Sequence, residues 1–277
     1  MTTPSINEIL KYSELQMAAE AFLISDGGPT TDPIDLIRAL VNGNDHASRF
    51  TEIEAQRFTE YWRVVDQQEN TGTGFSGTLF ECIQDDPLSG AKMGEQVISF
   101  RSTEFIDDAA RDNKATNALE IADHGLALGQ IMDMEDWYAQ LILSGKVTDP
   151  TRLSATGYSL GGHLATVFNL LRRESGTTLE QVVTFNGAGV GTWTTESLGE
   201  VIQLFRSLQT IGAGESAAAH IGITDASLAT LYDRVRATVD SGHNASSSDK
   251  AQLKAWSDFA KGEGAGSAQA VAADLAV

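Results

Sequence analysis

Cysteine is almost absent from this chain of 277 residues: Cys82 stands alone. A single thiol excludes an intrachain disulfide and any metal centre assembled from cysteines. Basic residues are scarce as well, 19 against 38 acidic ones, for a formal net charge of −19. A surface of that sign repels nucleic-acid phosphates, so nucleic acid is excluded as a partner. It also gives no electrostatic hold on an anionic membrane, which leaves only transient contact with a lipid surface. No apolar run is long enough for a transmembrane segment. The start, Met1-Thr-Thr-Pro-Ser-Ile-Asn-Glu8, lacks the basic and then apolar stretches of a secretory leader. Localisation stays open, because export through a C-terminal signal in a longer chain would leave no trace here. P-loop and H-E-x-x-H motifs, internal repeats and calcium-binding glycine-aspartate nonapeptides are all missing, so no metal or other cofactor is expected.

What the chain does have is 42% hydrophobic residues, enough for a sizeable core in one large α/β domain with appendages. The spacing of Ile9, Leu10, Tyr12, Leu15, Met17, Ala18 and Phe22 predicts an amphipathic helix within 6–24. Further helices are predicted over 33–41, with Pro33 in the first turn, and over 47–66, where Phe50, Ile53, Phe58, Tyr61 and Val65 follow a helical period. Residues 1–70 thus read as a helical N-terminal segment. After Asn70-Thr-Gly-Thr-Gly74 the pattern changes. Strands are predicted over 75–83 and 96–101, separated by the turn-rich Gln84-Asp-Asp-Pro-Leu-Ser-Gly90. A helix follows over about 118–143, then a strand over 153–156, a helix over 162–171 and a strand over 181–185. This order implies a mostly parallel sheet with helices on both faces, filling 71–195, with catalytic loops at the carboxyl edge of the strands. From 196 to 277 the reading is helical again, with a flexible connector at Gly262-Glu-Gly-Ala-Gly-Ser267.

Between the 153–156 strand and the next helix lies Gly157-Tyr-Ser-Leu-Gly161, a G-x-S-x-G pattern. A serine at such a junction takes a sharp turn that side chains at the flanking positions would obstruct. Glycines clear that space, so the Ser159 hydroxyl can stand at the end of the sheet as a nucleophile. Leu160 then begins the helix, where backbone N–H groups without intrahelical acceptors can stabilise an oxyanion. The plain alternative is a glycine-rich turn whose serine merely caps the helix.

With these motifs in place, residues 75–191 resemble a bacterial member of the class 3 lipase group of α/β-hydrolases. Gly157-Tyr-Ser-Leu-Gly-Gly-His-Leu-Ala165 is similar to that group's elbow. Val97-Ile-Ser-Phe-Arg-Ser-Thr103 resembles its strand ending in Phe-Arg-Gly-Thr or Phe-Arg-Gly-Ser, with Ser102 standing where the group carries glycine. Val182 to Gly189 looks like the strand after the elbow helix. The resemblance implies hydrolysis of a lipid or other ester through an acyl-enzyme on Ser159. It also implies an oxyanion hole formed by Leu160 and Thr103, the plain alternative for Thr103 being a cap or turn residue. The acidic loop 105–114 and the helix after it stand where such lipases often carry a lid, and a solvated acidic loop explains the same charges.

A serine nucleophile needs an imidazole base and an orienting carboxylate, which in this fold class follow it in the chain. His163 falls inside the elbow helix and reads as a packing or surface residue. His220 and His243 could serve as the base, and Asp225 followed by His243 keeps the required order, but the strands that should carry them are not legible. The expectation is therefore that the acid and base lie in a continuation beyond Val277, with Asp225 and His243 as the alternative. Two other functions compete. One is a non-catalytic interaction module that keeps the hydrolase fold. The other is a nucleotide site at Gly187-Ala-Gly-Val-Gly191, which Thr192 argues against by occupying the place of the required glycine.

Overall fold

Helix boundaries in the first part of the chain are written in capping residues. The computed structural model describes residues 5–25, 28–44, 49–71, 73–102, 127–190, 198, 199 and 202. Helix α1 (Ile6–Ala19) starts with a capping box, in which the Ser5 side chain accepts from the Glu8 N–H and the Glu8 carboxylate accepts from the Ser5 N–H. Helix α2 (Pro33–Asn42) is capped by Asp32, with Pro33 in its first turn. Helix α3 (Glu52–Tyr61) repeats the capping box with Thr51 and Glu54. Between α1 and α2, the two-residue strands β1 (Ile24–Ser25) and β2 (Gly28–Pro29) pair antiparallel.

The expected helix over 47–66 needs correction. It covers only 52–61, and Trp62 begins strand β3 (Trp62–Gln68) with no intervening loop. Trp62 and Val64 are buried while Arg63 between them is exposed, the period-2 signature of a strand. A bulge between Val64 and Asp66 then breaks the alternation. Strand β3 opens a five-stranded sheet, continued by β4 (Gly77–Cys82), β5 (Gln96–Phe100), β6 (Leu153–Tyr158) and β7 (Val182–Phe185). Spatial order equals chain order. The β3–β4 and β4–β5 pairs are antiparallel, whereas β5–β6 and β6–β7 are parallel. The sheet is thus mixed rather than mostly parallel. The reason is visible in the connections: β4 and β5 are joined by the helix-free loop 83–95, which folds back so that Cys82 bonds to Gly94 and Glu95, whereas β6 and β7 are linked through helix α5 (Leu160–Glu174).

Two compact units are present. The first comprises 1–71, 75–105 and 134–188 and contains the whole sheet. Strand register sorts its side chains onto two faces. Phe80 and Val97 point to one, where they join Tyr12 and Leu15 of α1, Leu36 and Leu40 of α2, and Ala55 and Phe58 of α3 in a single apolar core. On the other face Phe100 meets Phe168 of α5 at 5.5 Å between ring centroids. Tyr138, on helix α4 (Leu128–Leu143), meets Phe168 at 4.9 Å, and Trp137 reaches Phe75 at 5.9 Å. Helices therefore cover both faces of the sheet, an α/β architecture. The second unit comprises 72–74, 106–133 and 189–277. In its described part the Thr73 hydroxyl donates to Asp133 at 2.6 Å, and Gln130 donates to the Thr73 carbonyl at 3.2 Å. The helical segment expected over 196–277 falls almost wholly outside the described residues.

Candidate active site

Strand β6 runs straight into α5 with one residue between them, Ser159. Its backbone sits at φ 52° and ψ −116°. For an L-residue this conformation is strained, at about 1–3 kcal/mol. Three main-chain hydrogen bonds hold it there. The Ser159 N–H donates to Phe185 O at 3.0 Å, while Ser159 O accepts from the N–H of His163 at 3.1 Å and of Ala188 at 3.3 Å. The serine is half-exposed, and Tyr158, which precedes it in the chain, is exposed. Its side chain makes no capping bond to α5. The plain reading, a serine whose side chain caps the helix, is thereby set aside.

The glycines explain how the bend closes. A Cβ at Gly157 would lie 2.2 Å from Gly161 O, so strand and helix touch backbone to backbone. A Cβ at Gly161 would lie 2.1 Å from Phe100 O and 2.9 Å from Arg101 O, at the end of neighbouring β5. Gly162 and Gly187 form a third contact, with 2.8 Å from a Gly162 Cβ to Gly187 Cα. No side chain larger than hydrogen fits at Gly157 or Gly161 without moving main chain. The Gly162–Gly187 contact was not legible in the sequence, although both residues belong to motifs singled out there.

Leu160 is buried as the first residue of α5. Its N–H, with those of Gly161 and Gly162, precedes the first i to i−4 bond of the helix, made by His163. This is the half of an oxyanion hole that the elbow itself can supply. His163 is fully buried on α5, in keeping with a packing residue. Thr103, the acidic stretch 105–114, His220, Asp225 and His243 lie outside the described residues.

The approach to Thr103 is described as far as Ser102. Beyond the end of β5 the Arg101 N–H donates to Ser76 O at 3.1 Å, and the Ser102 N–H donates to Glu20 Oε1 at 2.9 Å. Glu20 follows α1 as its C-cap, is 4% exposed, and also accepts from Gln16 Nε2 at 2.5 Å. Burial pushes its carboxyl pKa up, and the Ser102 and Arg101 contacts only partly oppose this. A carboxyl raised in the folded state binds its proton more tightly there than in the unfolded chain. Its ionised form therefore lowers stability above the raised pKa, and that penalty disappears as pH falls below the unfolded value. Sequence reasoning missed Glu20, since no local pattern links residues 82 positions apart.

Elsewhere, burial drives the Cys82 thiol up to about 11, which makes it a poor nucleophile. Among the described residues no cluster of His, Cys, Asp and Glu is arranged to hold a metal ion. No described helix is long and apolar enough to cross a membrane.

No protein-family model, curated protein or solved structure matches the chain. The likeness to class 3 lipases therefore rests on the residues themselves, and foremost on the elbow.

Proposed function

We propose that this protein is an α/β-hydrolase-like serine hydrolase of carboxylic esters, acting on lipid esters as a lipase or phospholipase A1. The observation that carries this reading is Ser159 at φ 52° and ψ −116°, between a parallel strand and a buried helix, without a capping bond. Strain of this kind needs a reason, and exposing a hydroxyl above a helix N-terminus is one that acyl transfer uses. In the reaction, Ser159 Oγ attacks the ester carbonyl and loses its proton to an imidazole base. The oxyanion is stabilised by the Leu160 N–H and, from the loop after β5, by Thr103. Collapse expels the alcohol, reprotonated by the same imidazole, and leaves an acyl-enzyme that water hydrolyses. Asp225 and His243 are one pair for the acid and base; residues beyond Val277 are the other source.

A fluorophosphonate probe tests the assignment. Wild-type protein should be labelled at Ser159 with loss of fluoride, and Ser159→Ala should take up no label. A folded wild-type chain that stays unlabelled would favour a non-catalytic interaction module on the same fold.

A further inference from the structure

The end of β5 is clamped from two sides. On one, the Phe100 and Arg101 carbonyls press against Gly161 of the elbow. On the other lies Glu20, brought from the end of α1 to accept the Ser102 N–H. We propose that Glu20 is a positioning residue that fixes the turn out of β5 beside the nucleophile elbow.

The reasoning starts from main-chain bonding. The Arg101 amide still has a backbone acceptor, Ser76 O. At Ser102 a side-chain carboxylate takes over that role, 2.9 Å away. A carboxylate in a buried setting makes a stronger and more directional acceptor than a neutral carbonyl. Glu20 is itself held: Gln16 Nε2 lies 2.5 Å from the same oxygen, and Arg101 Nε lies 4.0 Å from the other, with both charged side chains at most 6% exposed. The Arg101 guanidinium rests 4.6 Å above the Phe22 ring, which keeps it in place. The Ser102 N–H shares its peptide plane with the Arg101 carbonyl, which lies against Gly161, so anchoring that amide fixes the strand end that packs on the elbow. The inference rests on the hydrolase reading above, because only then does placing this turn affect a rate.

The test is steady-state hydrolysis of p-nitrophenyl butyrate by the full chain, with fluorophosphonate labelling and the Ser102 amide proton resonance measured alongside. Removing an oxyanion donor outright costs about 10²–10³ in kcat, so loosening the strand end that packs on the elbow in Glu20→Gln should cost about tenfold, with KM changed by less than about twofold. The Ser102 amide proton should move upfield. Gln16→Ala, which keeps both charges, should give a smaller loss of the same sign and carries the test should Glu20→Gln fold poorly. Wild-type labelling together with undiminished kcat in both variants would overturn the positioning role and leave the hydrolase reading standing. An unlabelled wild type would bring down both.

Discussion

The elbow and the antiparallel half of the sheet solve the same problem by opposite means. Around Ser159 the chain is held by main chain against main chain: Gly157 on Gly161, Gly161 on Phe100, and Gly162 on Gly187. Around β3 and β4 it is held by side chains reaching across long stretches of sequence. Gln67 accepts from the Leu23 N–H at 2.7 Å and donates to Ala21 O at 3.1 Å and to the Thr78 hydroxyl at 2.9 Å. Asp66 accepts from Trp137 and from Lys146. Arg57 bridges Glu14 and Asp86 at 2.9 and 3.1 Å. Backbone packing tolerates no added atom but fixes a strained residue tightly. Polar side-chain packing tolerates strain poorly, since each lost partner leaves a buried group unsatisfied.

The sharpest way to break the contrast is Gly161→Ala. Its Cβ has no flexible neighbour to displace, so a loss of about 3 kcal/mol or more is expected, together with loss of fluorophosphonate labelling. Denaturant unfolding and labelling check it; a stable, fully labelled variant would mean that the elbow is looser than described. Next is Gln67→Leu, which strands the Leu23 N–H and Ala21 O inside the protein and should cost about 2 kcal/mol by denaturant unfolding, with labelling slowed far less than in Gly161→Ala. Labelling lost as completely as in Gly161→Ala would mean that the segment around Glu20 and Phe22, which Gln67 holds at Ala21 and Leu23, governs the elbow as strongly as its glycines do. The smallest effect has the opposite sign. Ser159→Gly cannot be labelled but should gain about 1 kcal/mol, because the strained dihedrals mirror an extended conformation open to glycine. Destabilisation instead would show that the hydroxyl supports the fold.

The same contrast decides what could be read in advance. The elbow is local. Strand, Gly157-x-Ser159-x-Gly161 and helix fall within about twenty residues, and glycine identity reports the missing space directly. The strands over 77–82, 96–100 and 182–185 were legible for the same reason, as short apolar runs between turn signals. Strand β3 was not. Phe58, Tyr61 and Val65 prolong a helical period past the true end of α3, which hides the buried Trp62 and Val64 on either side of exposed Arg63. The strand, helix, strand, helix, strand order over 96–185 reads as parallel and is so in β5, β6 and β7, whereas the antiparallel β3 and β4, joined ahead of them, make the sheet mixed. Glu20 and Gln67 could not be found at all, since their partners lie 82 and 46 residues away and no pattern encodes such pairs.

Because the strands lie side by side in the order of synthesis, the layer can be completed from one end to the other as the chain emerges. Ser159 directly follows the fourth of the five described strands, and two of the three bonds that set its backbone come from Phe185 and Ala188. Ser159 is therefore translated nearly thirty residues before its backbone is given its shape. A chain shortened to end at residue 180 should carry the serine and refuse the probe, because β7 and the turn after it supply the bonds that set the bend.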